Sequence, residues 1–337
     1  MEKTRVNLLE YLRSKTQVDL DTFDVSAVNQ FGQLVDCTSN QYQYYTELLK
    51  PHRKAILQKT LQVTSTLQDS FTGVPFEELA VEVGAVLLAH EMLPTFSGNV
   101  HVMANPSYAF SKEKTVEAAK RYYRLFALIS PSFSTARIVI KVSATWEGLQ
   151  ACRELHALGI KTLGTCLFTM EQAVLAGEAG CVSISPFVNE LRIMIDPEHK
   201  DPEPLLDICV QAQRWYERKS IPTKVKACAT VGVEQIIKLA GVAAFTIEPD
   251  DLRTLQSTHW DAKDIEKMCL FATENCAQET VEYGSYIDDE AKFRADFARA
   301  DEGKAQRKLI EAIGIFSGYQ VKAEALIRDA RVSGSAY

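Results

Sequence analysis

Short runs rich in β-branched and apolar residues alternate with amphipathic segments from about residue 18 to residue 249, and this alternation restricts the fold more than anything else. The strand-like runs cover residues 18–24, 35–40, 99–104, 137–144, 161–167, 181–187, 222–229 and 244–248. Helical patterns lie between them, among others at 146–158, 169–179, 203–219 and 233–240. Gly159, Gly180 and Gly241 each stand between a helical pattern and the next strand, where a residue free to adopt positive φ ends a helix. Eight strands, each followed by a helix, describe an α/β chain closing into a (β/α)8 TIM barrel, whose reactive groups sit at the C-terminal ends of the strands. A doubly wound sheet would need a glycine-rich phosphate loop after the first strand, and Asp21-Thr22-Phe23-Asp24 offers none. Residues 260–331 are helical in pattern, with an Ala-, Glu- and Lys-rich stretch at 288–308. They are expected to pack on the barrel as extra helices, leaving residues 1–337 as a single domain.

Composition narrows the function classes. With 337 residues, 46% hydrophobic and 24% charged, the chain is long and apolar enough to bury a large core. A net charge of −7 argues against nucleic acid or an anionic membrane as partner. No apolar stretch reaches the roughly 18 residues a membrane span needs. Residues 1–6 carry no apolar signal region and Ser335-Ala336-Tyr337 is no peroxisomal address, so a cytoplasmic location is expected. The eight cysteines form no Cys-x-x-Cys pair, and several fall in apolar runs, which favours reduced core thiols. The six histidines show no ligand spacing, so neither a metal site nor a nucleotide cofactor is expected.

Lys141 interrupts the apolar run Arg137-Ile138-Val139-Ile140-Lys141-Val142-Ser143-Ala144. Desolvating an ammonium costs several kcal/mol, so such a placement calls for a task or a partner. A lysine kept neutral by burial is a nucleophilic amine able to form a Schiff base with a carbonyl. The plainer alternative is a lysine at the strand's mouth, solvated or paired with a carboxylate. Other strand ends carry Asp21, Asn40, Thr165 and Ser185. Each could merely cap a turn or helix; together with Lys141 they make a polar ring at the mouth of an apolar barrel. Lys224 and Lys226 form a second basic pair, read as solvated or salt-bridged.

The chain resembles the transaldolase family of Schiff-base aldol enzymes, through Ile140-Lys141-Val142-Ser143-Ala144-Thr145-Trp146-Glu147-Gly148 and Ile184-Ser185-Pro186-Phe187-Val188. Asp36-Cys37-Thr38-Ser39-Asn40 and Asp21-Thr22 look like that family's second- and first-strand motifs. The resemblance implies that Lys141 is the Schiff-base lysine and Asp21 a catalytic carboxylate. It further implies that Thr165 places a catalytic water, and that Asn40, Ser185 and Phe187 contact the substrate. No cofactor is implied, the partner is a small carbonyl compound, and a homodimer is expected by analogy only.

The departures concern the same site. The family's strand-three glutamate aligns with Met103, and a thioether moves no proton. An asparagine position on the fifth strand is Leu163. The phosphate-binding arginine aligns with Glu190, and a serine and second arginine align with Ala229 and Val231. Arg192 is the nearest basic substitute. A charge-assisted phosphate contact is worth roughly 1.5–3 kcal/mol, so losing several removes orders of magnitude of affinity. Met103, Leu163, Glu190, Ala229 and Val231 together suggest a more apolar pocket with an acidic spot. His101, two residues before Met103, points to the same face and is a candidate substitute for the glutamate, against the alternative of a satisfied core histidine. Three readings stand: a Schiff-base enzyme of a specialised, non-phosphorylated substrate; an authentic transaldolase of sugar phosphates; and a non-catalytic binding protein of the same fold.

Overall fold

The computed structural model describes residues 5–32, 34–196, 198–272 and 281–333. All eight runs form strands: β1 (Gln17–Asp21), β2 (Cys37–Thr38), β3 (Val100–Met103), β4 (Ile138–Ser143), β5 (Lys161–Leu167), β6 (Ser183–Pro186), β7 (Lys224–Ala227) and β8 (Ala244–Ile247). They pair in sequence order, all parallel, and β8 returns to β1 through Leu20↔Ile247, closing the barrel. Parallel strands covered by helices outside and packed side chains inside are buried on both faces. Every residue of β3, β4, β6 and β8 is accordingly buried, which is why these runs read as continuously apolar.

Two strands are shorter than their apolar runs because polar residues leave the sheet to cap helices. Asn40 turns out of the second run, and its Oδ1 accepts from Gln43 N at 3.0 Å to start the helix Gln41–Leu48. Asp24 does the same for Val25–Val28, accepting from Ser26 N at 3.0 Å. Between β5 and β6, Thr169 and Gln172 form a reciprocal cap on the helix Met170–Glu178. The Gln172 amide also donates to Ala144 O at 2.8 Å, tying the ends of β4 and β5 together beside Lys141. Gly180 (φ +76°) ends that helix where a Cβ would sit 2.6 Å from the His156 ring, so this position accepts no side chain.

The C-terminal segment is mostly helical, as its pattern predicts, with one correction. His259–Asp261 is a strand, paired antiparallel with Arg5–Asn7 in a two-stranded ribbon outside the barrel. The run is too short for a helical period to show in sequence. Residues 273–280, part of the same segment, lie outside the described residues. The long helix Lys304–Val332 packs on the helices Gln41–Leu48 and Phe76–Met92 through Leu309, Ala312, Ile313, Phe316, Gln320 and Ala323. Those positions recur at intervals of three and four, the stripe of an amphipathic helix. No helix among the described residues is long and apolar enough to cross a membrane. The seven cysteines described are free thiols, six of them buried.

The barrel interior is not wholly apolar. Lys226 on β7 lies between Asp19 on β1 and Asp36 just before β2, in contact with the Asp19 carboxylate and 3.0 Å from Asp36 Oδ2. The salt-bridged reading of Lys226 therefore holds, while Lys224 is exposed. His101 Nε2 is 3.1 Å from the same Asp36 oxygen. Burial alone would raise the Asp36 carboxyl, but the His101 hydrogen bond and the Lys226 charge outweigh it and hold it well below the usual carboxylate range. Burial lowers His101 to about 4, despite Asp36, so near neutrality it is a neutral donor. Breaking a buried charge pair by removing one partner costs about 3–5 kcal/mol. Lys226→Met is therefore expected to lower unfolding free energy by about 3 kcal/mol or more at pH 7, measured by urea denaturation. The loss should shrink as pH falls and the stranded carboxylates take protons; an unchanged midpoint would contradict the assignment.

Candidate active site

The C-terminal ends of the strands open on a cavity of about 220 Å³. Five of the residues singled out in the sequence meet there: Lys141, Asp21, Asn40, Ser185 and Phe187. They come from β4, β1, the cap after β2, β6 and the turn beyond β6, so only barrel closure brings them together. Lys141 is 7% exposed, and its Nζ has no hydrogen-bond or ion-pair partner among the described residues. Its neighbours in register on β3 and β5 are Met103 and Leu163, neither able to supply a charge. Asp21 accepts from Thr38 Oγ1 at 2.7 Å and, more weakly, from Asn40 Nδ2 at 3.4 Å. Asn40 thus serves both as a helix cap and as a donor that orients the carboxylate. Phe187 meets Phe168 and Phe316 edge-on, with ring centroids 5.6 and 6.4 Å away, which fixes the cavity wall.

Four expected site residues do not line this cavity. Thr165 is buried on β5, its hydroxyl beside the Cys166 thiol and otherwise without a partner among the described residues. Met103 borders a separate small space with Asn40, Tyr44 and Tyr122. His101 is engaged through Nε2 with Asp36 below the site and does not line the cavity, and its buried Nδ1 has no partner among the described residues. Glu190 turns away altogether: its carboxylate holds His199 Nε2 at 2.9 Å and Arg307 at 2.6 Å, latching the terminal helix to the turn after β6. Arg192 is likewise drawn off, to Asp196 at 2.8 Å. The acidic spot expected from Glu190 exists, but other residues make it.

Glu248, Asp251 and Asp21 are the carboxylates on the cavity wall. Leu20 pairs with Ile247, so the next residues, Asp21 and Glu248, sit side by side where β1 and β8 end. Burial first, then the nearby Asp21, Asp251 and Asp250 charges, push the Glu248 carboxyl up to about 7; only a weak 3.5 Å contact from Gln43 opposes them. Burial also raises Asp251. The sequence placed Glu248 at the end of the eighth strand, where reactive residues of this architecture belong, but its neighbours Pro249, Asp250 and Asp251 gave it the look of an ordinary helix start. Tyr42, Gln43, Thr230 and Thr246 add polar groups to the wall, and the rest of it is apolar. Leu191, Ile193 and Met194 come from the turn after β6, and Ile315 and Phe316 from the terminal helix.

Two non-glycine residues beside the site have left-handed backbone, Cys166 (φ +54°) and Ala229 (φ +55°). Such conformations cost on the order of 1–3 kcal/mol and persist where surrounding structure enforces them. Cys166 lies where the β5–β6 register shifts after Gly164, a bulge that turns the end of β5, and with it Thr165. Ala229 lines the cavity itself.

Residues 18–303 match the family described as Transaldolase/Fructose-6-phosphate aldolase. The chain belongs to this family. It is 31% identical over 340 residues to the transaldolase of Thermosynechococcus vestitus, covering 98% of this chain and 84% of that one. It is 30% identical over 330 residues to a transaldolase of Shewanella sp. strain W3-18-1, covering 96% of this chain and 98% of the relative. The transaldolase of Gloeobacter violaceus is 29% identical over 336 residues. The match embraces all eight strands and the mouth, so the barrel just described is that of a transferase and aldolase family.

The raised Glu248 carboxyl has a consequence for stability. Its folded value, about 7, exceeds the ordinary 4.5, so the wild-type protein loses stability as pH rises from about 4.5 through 7. Glu248→Gln removes that loss. Its melting temperature relative to wild type is expected to climb between pH 5 and pH 8, by the equivalent of about 2 kcal/mol after allowing for partial solvent contact. A pH-independent difference in calorimetry would contradict the placement of this carboxyl.

Proposed function

We propose that this chain is a Schiff-base aldol enzyme in which Lys141 condenses with a carbonyl compound that carries no phosphate. The observation that carries this reading is the charge of the cavity. Among the described residues lining it, Lys141 is the sole cation, and it faces Asp21, Glu248 and Asp251. A phosphate needs two or more charge-assisted donors, and here it would meet carboxylates and an apolar wall. Positions where the sequence comparison expects phosphate contacts hold Ala229 and a half-exposed Val231 on the cavity, and Glu190 outside it.

The chemistry follows from the groups at the mouth. An unpaired amine in an enclosed, largely apolar site is a nucleophile for a carbonyl carbon. The imine so formed draws electrons from the adjacent bond, letting a carbon–carbon bond break or form through an enamine. Asp21, aimed by Thr38 and Asn40, is positioned to take the proton of a substrate hydroxyl as that bond breaks. Ser185 supplies a hydroxyl on the same wall, and Phe187 and Phe316 exclude water.

A second reading has support in the relatives, which are named transaldolases, and in the shared placement of Asp21, Asn40, Lys141 and Ser185 on one cavity. Initial rates separate the two. With glyceraldehyde as acceptor, donor activity with fructose 6-phosphate is expected to be at least about tenfold weaker than with unphosphorylated dihydroxyacetone, since each lost contact is worth roughly 1.5–3 kcal/mol. Efficient transfer from fructose 6-phosphate to erythrose 4-phosphate would establish the second reading instead.

A further inference from the structure

We infer that Glu248 is a catalytic acid of this enzyme, donating the proton that lets the carbinolamine on Lys141 lose water. The inference rests on the Schiff-base reading above. It begins with the ring of strands: β4 and β8 are four strands apart in a closed ring of eight, so Lys141 and Glu248 face one another across the mouth. Both line the same cavity of about 220 Å³, which leaves room for a small carbonyl compound between the amine and the carboxyl. Among the described residues Glu248 has no strong partner holding it elsewhere; Gln43 Nε2 donates to it weakly at 3.5 Å. By contrast Glu190 and His101, the other candidates for proton transfer, are bound to Arg307 and Asp36.

The acidic neighbours of Glu248 favour its protonated form, and only the weak Gln43 contact and the distant Lys141 oppose them among the described residues. β1 presents Asp21, the helix Pro249–Ser257 presents Asp250 and Asp251, and the helix Gln41–Leu48 presents Tyr42 and the neutral Gln43. The terminal helix brings only Ile315 and Phe316 to the cavity. Lys141, across the mouth, is the single opposing charge on the cavity wall among the described residues. A carboxyl titrating at about 7 can hold and release a proton near neutrality, while Asp21, held by Thr38 and Asn40, is supplied with donors suited to a carboxylate.

The step balances without any further reagent. Lys141 Nζ adds to the carbonyl carbon, and one proton passes from nitrogen to oxygen, giving the carbinolamine. Glu248 then protonates the hydroxyl, the C–O bond breaks, and the nitrogen lone pair forms the C=N bond. Water, a protonated imine and the Glu248 carboxylate result. In hydrolysis the carboxylate takes a proton from the water attacking the imine carbon, which restores the acid. Proton delivery occurs directly or through one water.

The test follows cyanoborohydride trapping of dihydroxyacetone on the whole protein by intact mass, from pH 5.5 to 8.5, in wild type, E248Q and E248A. E248Q is expected to trap at least about a hundredfold more slowly at pH 6.5, the lower end of what a positioned acid supplies, and to lack the wild-type limb near pH 7. Added acetate should restore part of the rate in E248A, which a purely structural role would not produce. Trapping by E248Q at the wild-type rate with an unchanged pH profile would overturn this assignment and leave the Schiff base intact. Absence of any adduct in wild type would overturn the Schiff-base reading and this assignment with it.

Discussion

Lys226 bridges Asp19 and Asp36 inside the barrel, and the character of everything above it depends on that pairing. Two carboxylates in an enclosed core attract any cation within reach, because the low dielectric strengthens each interaction. Lys226 binds both carboxylates, and the neutral His101 ring adds a hydrogen bond to Asp36. Lys141, at the mouth and three strands away around the ring, has no ion-pair partner among the described residues. One barrel thus holds two interior lysines of opposite kinds. The lower is held between two carboxylates; the upper borders a cavity with no partner among the described residues. The difference comes from barrel closure, which lays β7 against β8 and β8 against β1 and so puts Lys226 near Asp19.

Much of this was legible in the chain. Eight strands could be read because β-branched runs and glycine stops are local signals, and Lys141 stood out because it broke such a run. Asp21, Asn40, Ser185 and Phe187 converge on Lys141 because strand ends in a closed barrel share one mouth. What escaped the sequence depends on contacts between distant residues. Glu190 looked like a pocket carboxylate until Arg307, 117 residues later, was seen to hold it. His101 shares its strand face with Met103, but nothing in the sequence says that Asp36 will engage it. Ile315 and Phe316 sit in an amphipathic stripe that any packed helix would show, so their place on the cavity followed only from where that helix docks. Glu248 was the one miss with an available signal, its position at the end of the last barrel strand.

On the proposed reading, the substrate-facing surface is where this family fold changes its ligand while keeping its nucleophile. The floor, the barrel and the Asp21–Thr38–Asn40 set form one unit. The wall that receives the rest of the substrate is assembled from other elements: the turn after β6, the end of β7, the start of the helix after β8, and the terminal helix. Changes there leave the buried network untouched, so specificity can shift at little cost to folding. The charge of this wall runs from carboxylates near Asp21 to aliphatic and aromatic side chains at Ile193, Ile315 and Phe316. Such a gradient suits a carbonyl compound with a polar reacting end and an apolar remainder.

The most direct test of the account is the site of covalent attachment. Wild-type protein and Lys141→Ala would be reduced with borohydride in the presence of dihydroxyacetone, digested, and mapped by mass spectrometry. The account predicts a single modified lysine, Lys141, and no adduct in the variant. An adduct on Lys226 or on a surface lysine, or undiminished labelling of Lys141→Ala, would contradict it.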